Sequence, residues 1–141
     1  MDASPEKPYV RVVAALVEQD ERFLVAQRRP DSRLSLLWEF PGGRVEPGES
    51  DAAALQRELA ERMAVQVEVG DLFLHVTRRY RRYDIDFWVY RCTIVGPEPR
   101  PVRVNALRWA DLDELGALSF PGVDQDTVDA LLEDVTPTRE G

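Results

Sequence analysis

Gly42-Gly43-Arg44-Val45-Glu46-Pro47-Gly48-Glu49-Ser50-Asp51-Ala52-Ala53-Ala54-Leu55-Gln56-Arg57-Glu58-Leu59-Ala60-Glu61-Arg62-Met63-Ala64-Val65 is the stretch that decides the fold. Gly42-Gly43 and Pro47-Gly48 punctuate its first third as loops. From Ser50 to about Met63 the pattern is helical: Ser50 is a suitable N-cap and Asp51 lies where the helix dipole favours an acid. Leu55, Leu59 and Met63, at i, i+4 and i+8, form the stripe that must be buried. At about 100° per residue, Glu58 and Glu61 fall about 60° apart and beside that stripe, which places both at the edge of a cleft. The glycines upstream carry no side chain and let backbone come close to a ligand. Several carboxylates with a backbone carbonyl make an oxygen-only site, suited to Mg²⁺ or Mn²⁺ and not to zinc.

Working outward, Tyr9 to Val17 and Phe23 to Gln27 are apolar and β-branched, separated by the polar stretch Glu18 to Arg22, and are expected to form strand, turn and strand. Val65 to Val76, Ile85 to Val95 and Val104 to Trp109 are further strands. A second helix is expected from about Val123 to Glu133, with Val128, Leu131 and Leu132 inward. Strands on both sides of a helix, with another helix at the end, predict an α/β fold: a central mixed sheet covered on both faces. Residues 1–8 and 136–141 are polar and Pro-containing and are expected to be flexible, which leaves 9–135 as one domain.

The chain has 141 residues, enough for one self-sufficient core, and a single cysteine, Cys92, which excludes an internal disulfide and suits a reducing compartment. MDASPEKPYV lacks a basic region followed by an apolar one, and no apolar run is long enough to span a bilayer. A cytoplasmic protein with no membrane association is therefore expected. The net charge of −8 opposes binding to nucleic acid. Arg78-Arg79-Tyr80-Arg81-Arg82-Tyr83 alternates cations with rings that could stack on bases, but a solvated hairpin connection is the expected reading, because these arginines do not offset the net −8 elsewhere. His75, the lone histidine, has no ligand partner at metal-binding spacing and is expected to be a strand residue; Trp38, Trp88 and Trp109 are expected in the core.

Gly43, Glu49, Arg57, Glu58, Leu59, Glu61 and Val65 match the Nudix box, G-x5-E-x7-R-E-U-x-E-E-x-G-U with U a bulky aliphatic residue. The lead-in Leu37-Trp38-Glu39-Phe40-Pro41-Gly42-Gly43 resembles the MutT-like branch, whose members hydrolyse nucleoside triphosphates. The resemblance implies the Nudix α/β/α sandwich. It implies Glu58, Glu61 and the Gly42 carbonyl as ligands of Mg²⁺ or Mn²⁺, Glu58 also as a base, and Arg57 as the group that orients Glu49 or a neighbouring carboxylate. It further implies substrate-binding roles for Arg28, Phe40 and Asp124. The reaction implied is metal-assisted attack of water on a phosphoanhydride of a nucleoside triphosphate or related nucleoside diphosphate derivative. The partner is then a small-molecule nucleotide, with the chain a monomer or homodimer.

The chain departs from the family pattern at Arg62, which replaces the second of two consecutive glutamates and puts a permanent cation where an anionic ligand is expected. Arg62 is also four residues after Glu58, the spacing of a helical ion pair. Ala64 stands in place of glycine, and Arg103 falls where related enzymes often carry another glutamate, with Glu98 nearby. Two readings follow. Either the site works with fewer carboxylates, or Arg62 and Arg103 hold phosphates directly and the chain is a non-catalytic nucleotide-binding module. Without the box, Glu58 and Glu61 would read as an exposed acidic helix face, Asp124 as a helix-start residue and Phe40 as core.

Overall fold

In the computed structural model, which describes residues 7–135, a mixed sheet is built around β1 (Tyr9–Gln19). Val13, Ala15 and Val17 point to one hydrophobic cluster and Ala14 and Leu16 to another, so the strand is buried on both faces. This explains its unbroken apolar run, since a strand covered on both sides has no polar face to show. β1 pairs in parallel with β6 (Asp84–Gly96) from Tyr9↔Asp84 to Val17↔Cys92, and antiparallel with β2 (Arg22–Gln27) and β4 (Gly42–Arg44). The sheet runs β3 (Trp38–Glu39), β2, β1, β6, β5 (Gln66–Arg79), with β7 (Ala106–Ala110) also on β2. Asp20 and Glu21 join β1 to β2 at φ 52° and 64°, the double left-handed turn whose twist suits a two-residue hairpin.

Helix α1 (Asp51–Met63) lies on one face, burying Ala54, Leu55, Leu59 and Met63 against Val13, Ala15, Leu24 and Val65. Helices α2 (Leu112–Ala117) and α3 (Gly122–Val135) lie on the other, where Leu115, Val128 and Leu131 meet Leu16, Phe40, Phe87 and Val89. The predicted α/β/α sandwich is therefore present. Three details differ from expectation. Leu132 is 39% exposed because α3 rests on the sheet by one narrow stripe, to which Val128 and Leu131 belong. Gly42-Gly43 is a strand and not a loop, since glycine is what the close approach to β1 requires: a Cβ on Gly42 would stand 2.0 Å from the Val13 carbonyl oxygen. Helix α2 was not expected at all. Of the segments 1–8 and 136–141, expected to be flexible, residues 1–6 and 136–141 lie outside the described residues, while Lys7 pairs with Asp84 at 2.8 Å and the Pro8 carbonyl accepts from the Asp84 amide at 2.9 Å.

The ends of α1 are specified locally. Ser50 accepts from the Ala53 amide at 3.1 Å, and Asp51 is gripped by Arg11 at 2.8 and 2.7 Å and by the Tyr90 hydroxyl. At the other end Ala64 adopts φ 55°, ψ 41°, and its amide closes on the Ala60 carbonyl. The carbonyls of Arg62 and Met63, which have no partner within the helix, accept from Arg100, Val102 and Arg103 amides at 2.9–3.0 Å.

Of the arginine and tyrosine run, Arg78 and Arg79 end β5, and Tyr80 to Tyr83 make the β5–β6 connection. Tyr80 and Tyr83 stack on each other at 5.2 Å, Arg78 pairs with Asp126 of α3 at 2.6 Å, and the Tyr80 hydroxyl packs at Gly122. The hairpin thus braces the start of α3. His75 is a β5 residue, stacked on Trp88 and bonded to Asp86. Trp38, Trp88 and Trp109 all pack against the two clusters while remaining partly exposed.

Candidate functional site

Pairing of β4 with β1 puts Gly43 directly beneath α1. A Cβ there would stand 2.3 Å from Glu58 Cδ and 2.4 and 2.6 Å from its oxygens, so the missing side chain is the cradle in which this carboxylate rests. Glu58 is buried. Its Oε2 lies 3.1 Å from Arg57 Nη1 and its Oε1 2.7 Å from Arg62 Nε. Glu61 is half-exposed and its Oε1 lies 3.5 Å from the same Arg57 Nη1, so the two box carboxylates converge on one nitrogen.

Arg57 also organises the loop before the helix. Its Nε and Nη2 hold both oxygens of Glu49 at 2.7 and 3.0 Å, and Nη2 reaches the Arg44 carbonyl at 3.0 Å. Glu49 in turn accepts from the Glu46 amide at 2.9 Å. The Arg57 hydrogen bond, followed by that backbone bond, lowers the Glu49 carboxyl to about 2, while the Arg57 guanidinium is raised by its bonds to Glu49 and Glu58. One side chain therefore fixes the loop, the helix start and the Glu58 carboxylate relative to one another, as a second layer of contacts does around a ligand group.

Asp124, in the first turn of α3, is buried and accepts from the Phe40 amide at 3.1 Å. Burial, reinforced by nearby Glu39, pushes its carboxyl up to about 8 against the opposing Phe40 bond and Arg28 charge. Such a group is protonated at neutral pH and can donate as well as accept. Phe40 is buried and stacks on Phe120 at 5.5 Å. Arg28 donates to the Arg33 carbonyl at 2.8 Å and pairs with Glu39 at 2.9 Å. Arg28, Phe40 and Asp124 are thus brought together around Glu39.

Glu39 is the residue that sequence reasoning missed. It joins the two halves, with Oε1 on Arg28 and Oε2 3.7 Å from Arg62 Nη1. The signal was its place between Trp38 and Phe40 in a short strand, where a carboxylate beside core aromatics needs a cationic partner. Arg62 faces the site and makes the anticipated i,i+4 pair with Glu58; Arg103 is exposed, with its amide on the Arg62 carbonyl.

Among the described residues no three acidic, histidine or cysteine groups are gathered as a metal cluster. Guanidinium groups stand between Glu39, Glu58 and Glu61. In kind, the donors fit a hard divalent cation: two carboxylates, one of them seated in the Gly43 cradle, and the backbone of Gly42. Arg62 is the competitor for that position.

A protein-family model described as the NUDIX domain matches residues 12–130. The CTP pyrophosphohydrolase of Escherichia coli (strain K12) is 48% identical over 62 residues, covering 44% of this chain and 46% of that protein. The putative 8-oxo-dGTP diphosphatase 2 of Mycobacterium tuberculosis (strain ATCC 25618 / H37Rv) is 36% identical over 122 residues, covering 81% of this chain and 82% of that one. The crystal structure of the MutT protein from Methanosarcina mazei Go1 superposes with a TM-score of 0.81 at 26% identity, over 94% of this chain and 100% of that one. With the family match running from β1 into α3 and Glu58 seated over Gly43 inside it, the chain belongs to the Nudix hydrolase superfamily, on its MutT-like branch.

Proposed function

We propose that the chain hydrolyses a phosphoanhydride bond of a nucleoside triphosphate or related nucleoside diphosphate derivative, giving a nucleotide of lower phosphorylation and, from a triphosphate, pyrophosphate. The observation that carries this reading is the Glu58 carboxylate, lodged over Gly43 and held by the same arginine that holds Glu49. Glu58, Glu61 and the Gly42 carbonyl are the groups that would hold Mg²⁺ or Mn²⁺. A bound divalent cation supplies neutralisation of the charge that develops on the bridging phosphate oxygens. Each Glu58 oxygen accepts one arginine hydrogen bond, and the remaining lone pairs are the ones that would take a proton from the attacking water. Arg57 holds the carboxylate in place over Gly43.

Phe40, Arg28 and Asp124 form the base-recognition end. A protonated, buried Asp124 offers an O–H donor and an acceptor to one edge of a base, and the compounds named in two relatives, CTP and 8-oxo-dGTP, both carry an exocyclic amine. A nucleotide with an amino-bearing base is the substrate class that fits. Such a protein, with one desolvated thiol, works in a reducing cytoplasm; no helix among the described residues is long and apolar enough to cross a membrane.

The Arg62–Glu58 pair favours a second reading, a nucleotide binder that needs no metal. Release of pyrophosphate or phosphate from a panel of canonical, methylated and oxidised nucleoside triphosphates, with Mg²⁺, Mn²⁺ or EDTA, separates the two. Metal-dependent turnover that Glu58→Gln abolishes is the expected result. Nucleotide binding that persists in EDTA with no turnover on any member would replace it with the second reading.

A further inference from the structure

Arg62 lies between two carboxylates on different elements, Glu58 on α1 and Glu39 on β3. Its Nε is 2.7 Å from Glu58 Oε1 and its Nη1 is 3.7 Å from Glu39 Oε2. The side chains of Glu39 and Glu58 are 12% and 11% exposed, against 31% for Arg62, so the cation is the more accessible member and the anions are the more enclosed posts. Each post has a second arginine of its own: Arg28 at 2.9 Å from Glu39 and Arg57 at 3.1 Å from Glu58. The charges therefore alternate along Arg28, Glu39, Arg62, Glu58, Arg57 and Glu49.

We propose that Glu39 is a positioning residue that receives Arg62 when a divalent cation enters at Glu58. A guanidinium on Glu58 occupies one acceptor direction of Oε1 and repels a cation at short range, so Glu58 binds a cation better once Arg62 has moved off that oxygen. With Glu39 already within 3.7 Å, the guanidinium changes its main partner by a rotation of its side chain and both carboxylates keep a positive neighbour. Without Glu39 the released arginine has no buried anion to receive it and stays on Glu58. The inference rests on the reading of Glu58 as a cation ligand. It gives Glu39 a role that acts through Arg62 and exists only because residue 62 is arginine.

The test is Mn²⁺ affinity without nucleotide, followed by the electron paramagnetic resonance signal of free Mn²⁺, for the unmodified chain, Arg62→Ala, Glu39→Gln and the double variant. Arg62→Ala is expected to tighten binding by roughly tenfold, within the ordinary range of coupling between charged sites. Glu39→Gln is expected to weaken it by about the same factor when Arg62 is present, and by less than about twofold when Arg62 is alanine. Equal weakening in both backgrounds would make Glu39 act on the cation directly and would overturn the proposal, as would Glu39→Gln binding like the unmodified chain. Absence of Mn²⁺ binding in all four, Arg62→Ala included, would remove Glu58 as a ligand and the proposal with it. Arg62→Gln, which keeps hydrogen-bonding capacity and much of the length, repeats the comparison should the alanine variant fold poorly.

Discussion

Asp124→Asn should flatten the pH dependence of stability. In the folded chain the Asp124 carboxyl is buried and keeps its proton up to about 8. In the unfolded chain an aspartate loses it near 4. Between those values the folded state binds the extra proton, so the contribution of Asp124 is greatest below the unfolded pKa and is lost as pH rises through the folded one. The slope is at most about 1.4 kcal/mol per pH unit, which sets a ceiling of about 3 kcal/mol between pH 5 and pH 7. Rearrangement toward Arg28 on ionisation reduces this, and a loss of about 1–3 kcal/mol is expected. Asparagine has the same shape and keeps an acceptor for the Phe40 amide, now 3.1 Å from Oδ1, but does not ionise. Urea unfolding at pH 5, 6, 7 and 8 supplies the free energies, and subtracting the variant's profile cancels the contributions common to both chains. A difference profile that is flat across this window would refute the protonated carboxyl and, with it, the donor assigned to base recognition.

Three further outcomes are expected. Gly43→Ala should leave the fold intact by circular dichroism yet abolish turnover, because the new Cβ, within 2.6 Å of all three Glu58 carboxyl atoms, must push the carboxylate off its seat. Ala64→Gly should raise stability by about 1 kcal/mol and the melting temperature by about 3 °C, since the position is left-handed at φ 55°. Cys92, which burial pushes up to about 12, should resist a thiol reagent at pH 8 until the chain is denatured; rapid labelling of the native protein would contradict its burial.

The parts of the fold that were legible in the sequence are those whose signal is local and periodic. The stripe at Leu55, Leu59 and Met63 and the two-sided apolar run of β1 each require a specific kind of burial, and the structure supplies it. Helix α2 was also legible in principle, because Asp111 and Glu114 form a reciprocal capping box, but six residues are too few to establish a period. Leu132 shows the opposite failure: the helical pattern was right, but its apolar residues outnumbered the positions the sheet could cover. In the site, the family resemblance anticipated that Arg57 would hold Glu49 or a neighbouring carboxylate, and Arg57 contacts both Glu49 and Glu58. For Glu39 the sequence offers only the need for a cationic partner, because the partners themselves, Arg28 and Arg62, are brought within reach only by the pairing of β2 with β3 and the packing of α1.

The alternating row from Arg28 to Glu49 also constrains the order in which this site can evolve. Exchanging Arg62 for the glutamate of its relatives would set a third carboxylate against Glu39 and Glu58 with no cation between them. That single step trades an ion pair for repulsion unless a metal is already present in sufficient concentration, so the family residue is not simply one substitution away. A route that first neutralises Glu39 or Arg62 avoids the clash, and the same change at position 62 is therefore harmful or beneficial according to which neighbours have changed before it.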